Sequence, residues 1–330
     1  MNKLKTFWNL LKKTYLNWIS NEPFEQSAVI AYYTLFSLPS LLIIVVSIAG
    51  YFFGKEAVQG RITGQIADFI GKDSAMAIEK MISSAALTNN STLAVIFGIA
   101  MLLFGATGVF FQMKRAMNNI WNVAAKKDTF LRMIIDRVIS FGMVLALGFL
   151  LLLTLIISAG IKILSDYISG SAPVLTSIGL EVINYVLSFM FITALFAAIF
   201  KLLPDIKIRW KITFLGAALT TIFFLIAEFL ISFYFGKSNP GSVYGGASSV
   251  VLILLWVNYS CLILFFGAEF TVQYALHIKE RITPNKFSEP AIYQEMRKLD
   301  AKKIKLEKDQ EMLEKLKSNF NYEEETKSID

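Results

Sequence analysis

Five stretches of this chain carry no Asp, Glu, Lys or Arg: Gln26 to Gly54, Met81 to Met113, Val138 to Ile161, Val182 to Phe200 and Ser238 to Ala268. Crossing a hydrocarbon core takes roughly 20 apolar helical residues, and each stretch is long enough. A soluble helical protein can bury one all-round apolar helix at its centre. Five would need far more amphipathic covering helix than the remaining sequence supplies. With 55% hydrophobic and 17% charged residues, the chain also departs from the soluble average of about a quarter charged. The pattern predicts an all-α, polytopic membrane protein.

Six spans are expected, over residues 30–53, 92–112, 138–164, 180–203, 212–236 and 247–276. Alternating sides places 26 of the 32 Lys and Arg residues on the side of the N-terminus. The other side holds only Lys55, Arg61, Lys72, Lys80, Lys162 and Lys237. Cytoplasmic loops are the basic ones, so both termini are expected in the cytoplasm of a cell whose plasma (inner) membrane holds the protein. The N-terminal residues mix Lys3, Lys5, Lys12 and Lys13 into their apolar positions, unlike a cleavable signal peptide.

Three segments flank or interrupt the spans. Residues 1–29 should hold an interfacial helix, because Leu4, Trp8, Leu11, Tyr15 and Trp18 recur every three or four positions among lysines; a helix packed on the ends of the spans fits equally well. The outer loop, 54–91, is long and partly apolar, so short capping helices are expected. The tail, 277–330, mixes Lys and Glu with scattered Tyr293, Met296, Leu299, Met312, Leu313 and Leu316. It reads as a solvated helix fading into disorder near Tyr322. Lys302, Lys303 and Lys305 there read as a solvated run rather than a nucleic-acid site; the expected partners are anionic headgroups at the cytoplasmic face.

Polar residues inside an apolar span need a reason, since an ionised group at a helix centre costs roughly 2.5–3.5 kcal/mol on insertion scales. Glu228 interrupts the fifth span in its outer part, and either bonding to neighbouring helices or a transport role accounts for it. Glu269 falls near the cytoplasmic end of the sixth, where a capped or headgroup-facing carboxylate suffices. At opposite depths, the two are not an acid/base pair. Pro39, flanked by Ser37 and Ser40, should kink the first span. Gly105, Gly108 and Gly267 are candidates for close helix contact. Phe104-Gly105-Ala106 and Phe266-Gly267-Ala268, followed by Gln112 and Gln273, hint at an internal repeat.

Catalytic and metal motifs are absent. The chain has one cysteine, Cys261, and one histidine, His277, which rules out a disulfide framework and a multi-Cys or multi-His zinc site. No HExxH, P-loop or Gly-x-Ser-x-Gly occurs. Asp128, Asp136 and Asp205 sit beside basic residues as surface acids do. No cofactor is expected.

The stretch Ala31-Tyr32-Tyr33-Thr34-Leu35-Phe36-Ser37-Leu38-Pro39 resembles the opening signature of the YihY/BrkB family of bacterial membrane proteins. Leu103 to Phe110 with Ala116 to Trp121, including Asn118, resembles its second. Leu203-Pro204-Asp205 running to Gly216-Ala217 resembles its third, and Tyr244-Gly245-Gly246-Ala247 through Trp256 to Phe266-Gly267-Ala268-Glu269 its last. The resemblance covers about residues 20 to 280, with Glu228 a departure from the pattern. It implies a six-span inner-membrane protein whose relatives carry virulence-factor or ribonuclease BN labels. Three functions follow for weighing: translocation of a lipid or other amphipathic solute, a non-catalytic scaffold that contacts a second copy or another envelope protein, and a ribonuclease.

The orientation is testable in a Cys261→Ala background. A membrane-impermeant maleimide should label Lys72→Cys in intact cells, and Lys303→Cys only after permeabilisation.

Overall fold

A computed structural model of the chain describes residues 3–37, 60, 64, 76, 79, 92–126, 173–238, 248–286 and 288–327. Pro39, Tyr244, Gly245, the span expected at 138–164, and most of the outer loop lie outside them. The described elements are α1 (Lys3–Ser20), α2 (described over 23–37), α3 (Thr92–Ile120), β1 (Val123–Ala125), α4 (Pro173–Leu202), β2 (Ile206–Lys207), α5 (Trp210–Ser238), α6 (Ser248–His277), β3 (Thr283–Pro284), β4 (Ser288–Pro290) and α7 (Ala291–Lys327).

Among the described residues, three helices are long and apolar enough to cross a membrane, along Tyr185–Leu202, Trp210–Ile231 and Val250–His277, and less than half of each is buried. Phe229, Leu230 and Phe233 of α5 and Tyr185 and Met190 of α4 are exposed. A contiguous apolar surface on that scale calls for a solvent other than water.

The C-terminal ends of α3, α4 and α6 and the N-terminal end of α5 meet on one side, which we call the capped end. Short strands join them there: β1 pairs antiparallel with β4, and β2 with β3. An all-α reading omits these pairs. Loop backbone groups beside a bundle need partners, and the pairing supplies them. Lys279 adopts a left-handed φ of 56° and ends α6 in a Schellman turn, with Glu280 N–H donating to Ala275 O at 2.9 Å and Lys279 N–H to Leu276 O at 3.1 Å.

The first described helices join at Asn21 and Glu22. Pro23 opens α2, where a missing N–H is no loss. The helix therefore starts well before residue 30, in a turn too polar for hydrocarbon. Along α1 the ring contacts run from Phe7–Phe270 to Trp18–Phe266. Eleven residues of α1, about 16 Å, thus match four of α6, about 6 Å, so α1 crosses α6 steeply. The helix has two faces. Leu10 and Thr14 are buried, while Trp8 and Tyr15 on the other face are 70% and 54% exposed. Trp8 and Tyr15 therefore do not share the buried face, whereas Trp18 packs on the core.

Glycines set the closest helix contacts. A Cβ at Gly267 would fall on the Thr220 hydroxyl, and one at Gly216 on the Thr271 hydroxyl. Each threonine instead donates back to its own helix, Thr220 to Gly216 O and Thr271 to Gly267 O, both at 2.7 Å. The α5–α6 contact is thus reciprocal, as antiparallel helices with the same Gly-x-x-x-Thr spacing allow. On α3, a Cβ at Gly105 would stand 2.7 Å from the Ser37 Cβ, and one at Gly108 would meet the Tyr33 ring. Small residues permit this approach where lipid gives no hydrophobic drive between helices. Gly267→Ala should cost about 1–3 kcal/mol by overpacking, and adding Thr220→Ala should recover part of it, read as the unfolding midpoint of purified protein in detergent.

Candidate functional site

Two polar groupings stand out against the apolar bundle. The first is at the capped end, where three family-like stretches converge. Asp205, in the α4–α5 connection, is 7% exposed. Its carboxylate accepts from the Asn118 amide at 3.0 Å and stands 3.2 Å from the Lys114 ammonium. Its own N–H donates to Asn118 Oδ1 at 2.8 Å, so one asparagine of α3 grips both side chain and backbone. Its carbonyl accepts from Ser288 Oγ at 2.6 Å and Asn285 N–H at 2.9 Å. Asp205 is therefore no surface acid; it ties α3 to the α4–α5 turn and to the chain after α6. Pro204 and Trp121 are buried beside this knot, and Trp121 Nε1 has no hydrogen-bond partner among the described residues. Lys201 adds a bond to Ile208 O and lies over the Trp210 ring at 5.8 Å.

The base of α7 is fastened here too. Ala291 N–H donates to Asn122 O at 3.0 Å, Arg209 pairs with Glu280, and Arg297 pairs with Glu289. The Arg297 guanidinium, by hydrogen bonding, holds the Glu289 carboxyl below the usual carboxylate range.

The second grouping runs through the bundle. Glu269 is 2% exposed and faces inward. The Asn21 amide donates to its carboxylate at 3.3 Å and the Gln273 amide, one turn along α6, at 2.8 Å. Asn258 of α6 donates to Ser27 Oγ at 2.9 Å, and Gln112 of α3 donates to Gln26 of α2 at 2.6 Å. Thr193 and Thr221 bond between α4 and α5 at 3.0 Å. Asn258 and Glu269 stand about 16 Å apart along this seam of α6, with buried Leu262 and Phe265 on the same face between them. Trp18, whose Nε1 is buried without a described hydrogen-bond partner, packs against Phe266 at the same α1–α6 junction.

The sequence candidates are thus distributed unevenly. Glu269 is buried and held by amides, not turned to headgroups. Glu228 is half-buried on α5 with no hydrogen bond or ion pair among the described residues. It lies about 27 Å along α5 from the capped end, against about 12 Å along α6 for Glu269, so the structure does not bring the two together. Tyr33 and Ser37 contact Gly108 and Gly105, and Trp256 packs at the core edge near Phe224. Sequence reasoning missed Lys114, Asn21, Ser27, Asn258 and Ser288. Ser27 and Asn258 were signalled only by polarity inside a charge-free run and Lys114 by standing beside one, while Asn21 and Ser288 carried no such signal. Among the described residues, no three His, Cys, Asp or Glu side chains come together as a metal site.

Asp205→Ala removes the acceptor of the Asn118 amide and the counter-charge 3.2 Å from the part-buried Lys114 ammonium, and should cost about 1–3 kcal/mol. Asp205→Asn, which keeps an acceptor for Asn118, should cost less. Thermal unfolding in detergent, with trypsin cleavage at Lys286 as a second readout, ranks the two.

A family model described as virulence factor BrkB matches residues 15–291. The ribonuclease-like protein YfkH of Bacillus subtilis is 24% identical over 281 residues, which are 83% of this chain and 97% of YfkH. A UPF0761 membrane protein of Haemophilus influenzae is 24% identical over 267 residues, 80% of this chain and 91% of its own. One from Aggregatibacter aphrophilus is 25% identical over 253 residues, 76% and 86%. No solved structure matches. The match spans the knot at Asp205, the seam and all three apolar helices, and stops where α7 begins: the chain is a membrane protein of the virulence factor BrkB family.

Proposed function

We propose that this protein translocates a lipid or another amphipathic solute across the inner membrane, as a six-span bundle with both termini in the cytoplasm. One observation carries the reading: a buried carboxylate, Glu269, heads a line of inward polar side chains, Asn21, Gln273, Ser27 and Asn258, between helices that are otherwise apolar. An ionisable group inside a membrane bundle is costly and is by default a candidate for a solute path. A headgroup passing between the Asn258 and Glu269 groups would find hydrogen-bond partners at both while its tails stay in lipid. The chain has no nucleotide-binding motif, so movement would be downhill or coupled to an ion gradient. The exposed Trp8 and Tyr15 of α1, with Lys5, Lys12 and Lys13, suit a helix seated among anionic headgroups at the cytoplasmic face.

The ribonuclease reading rests on the name of YfkH. Metal-dependent phosphodiester cleavage needs clustered carboxylates or imidazoles. At the capped end Asp205 is instead engaged by Lys114 and Asn118.

Proteoliposomes with fluorescent phospholipids and an impermeant quencher test the proposal. Vesicles holding the wild-type protein should lose outer and inner fluorescence within minutes. Glu269→Gln should slow the second phase severalfold, and Glu228→Gln separates a role for the outer carboxylate. Kinetics equal to those of empty vesicles for all three proteins would remove the reading.

A further inference from the structure

Past the level of Glu269, the described helices carry acids and no base. The charge-free runs Gln26 to Gly54, Met81 to Met113, Val182 to Phe200 and Ser238 to Ala268 account for α2, α3, α4 and α6 there, and between Ile212 and Gly236 the only charged residue of α5 is Glu228. Glu269 itself is 2% exposed. Its oxygens accept from neutral amides, Oε2 from Asn21 at 3.3 Å and Oε1 from Gln273 at 2.8 Å, and it makes no ion pair among the described residues. The charged groups on the elements packed against it are engaged or exposed. Lys5, Lys12 and Lys13 of α1, Glu22 and Glu25 at the start of α2, Lys211 of α5 and His277 at the end of α6 are all exposed. Lys114 of α3 stands 3.2 Å from Asp205. A carboxylate taken out of water with no cation beside it is costly, and a positively charged visitor relieves that cost.

We infer, on the translocation reading above, that the solute's polar head bears a primary ammonium, as in an ethanolamine phospholipid, and that Glu269 receives it together with Asn21 and Gln273. A primary ammonium donates three hydrogen bonds and accepts none. Each Glu269 oxygen already accepts one amide bond and has room for a second, and a turn of the Asn21 or Gln273 amide offers a carbonyl oxygen in place of its N–H. The three side chains can therefore satisfy all three ammonium donors. A headgroup bearing phosphate alone meets the reverse situation, because it sets a second negative charge near a buried carboxylate with no base past that level to balance it. The rest of the junction suits a zwitterion. Phe266 and Phe270, on either side of Glu269 in the chain, contact Trp18 and Phe7 of α1 at ring separations of 5.8 and 6.4 Å. The Trp18 Nε1–H is buried with no hydrogen-bond partner among the described residues. It supplies the donor that the phosphate of an ethanolamine headgroup needs once the ammonium is held at Glu269.

Lysophospholipids of one acyl chain that differ only in headgroup test this on the full chain in a neutral detergent, with binding read as the rise of the unfolding midpoint with lipid concentration. Lysophosphatidylethanolamine should bind the wild type roughly tenfold more tightly than Glu269→Gln, the loss expected for one charge-assisted contact. Lysophosphatidylglycerol, drawn to the lysines of α1, should bind both proteins alike. A rate measurement needs no variant: in wild-type proteoliposomes, acyl-labelled phosphatidylethanolamine should cross roughly tenfold faster than acyl-labelled phosphatidylglycerol. Equal weakening of both lysophospholipids by Glu269→Gln, or weakening of neither, would overturn the ammonium site. So would a stabilisation that depends on Glu269 and appears only when sodium chloride replaces choline chloride, which marks a metal-cation site instead. Two lipids crossing at equal rates overturn the headgroup preference and leave translocation standing. Selective binding with neither lipid crossing supports the ammonium site and removes the translocation reading.

Discussion

The capped end depends on a single buried residue whose polar groups are bonded at both side chain and backbone. Asp205 uses its carboxylate, its N–H and its carbonyl to hold Asn118, Lys114, Ser288 and Asn285. Those partners come from α3, from the chain just after α6, and from the start of the tail. The α4–α5 turn and the chain between β3 and β4 are therefore fastened to one residue, through both its side chain and its backbone. A buried ion pair adds little net stability on its own account but is severe to break. Such a knot fixes which loops meet more than how tightly they hold.

Inside the bundle the constraints differ. Between apolar helices in lipid, burial does not discriminate one face from another, so contact is set by shape and by hydrogen bonds. The reciprocal Gly216–Thr271 and Gly267–Thr220 contacts set the α5–α6 approach, and Gly105 and Gly108 do the same for α3 against Ser37 and Tyr33. Glycine removes the obstacle, and threonine returns its hydroxyl to its own helix. The inward amides then fix rotation: turning α6 away would strand Glu269 and Asn258 in hydrocarbon.

Much of this was legible in the sequence, for a physical reason. The requirement that lipid-facing helix be apolar acts on every residue of a span, so the runs that became α4 and α6 needed no periodicity to be seen, and neither did the apolar stretch of α5 that Glu228 interrupts. Gly105, Gly108 and Gly267 were readable because a small residue in a span has few other uses. The Asn118–Asp205 bond was not readable, since it joins residues 87 apart and an acid beside lysines looks solvated. The burial of Glu269 was hidden for a related reason: its depth on α6 can be counted, but the Asn21 amide that covers it belongs to the turn after a crossing helix, 248 residues away. On α1 periodicity located the helix but did not separate the protein-packed face, with Leu10 and Thr14, from the exposed one with Trp8 and Tyr15, because both tolerate aromatics.

The central claim is that the inward seam of α6 is a hydrophilic path and not merely a packing contact. Reactivity of single cysteines toward a small water-soluble thiol reagent, in membranes and with Cys261→Ala, tests it most directly. Asn258→Cys should react readily and be protected by an added amphipathic solute, while Leu255→Cys and Tyr259→Cys, on the exposed apolar face, should stay inert. If Asn258→Cys proves as unreactive as its two lipid-facing neighbours, the seam is closed to water and the account of translocation fails.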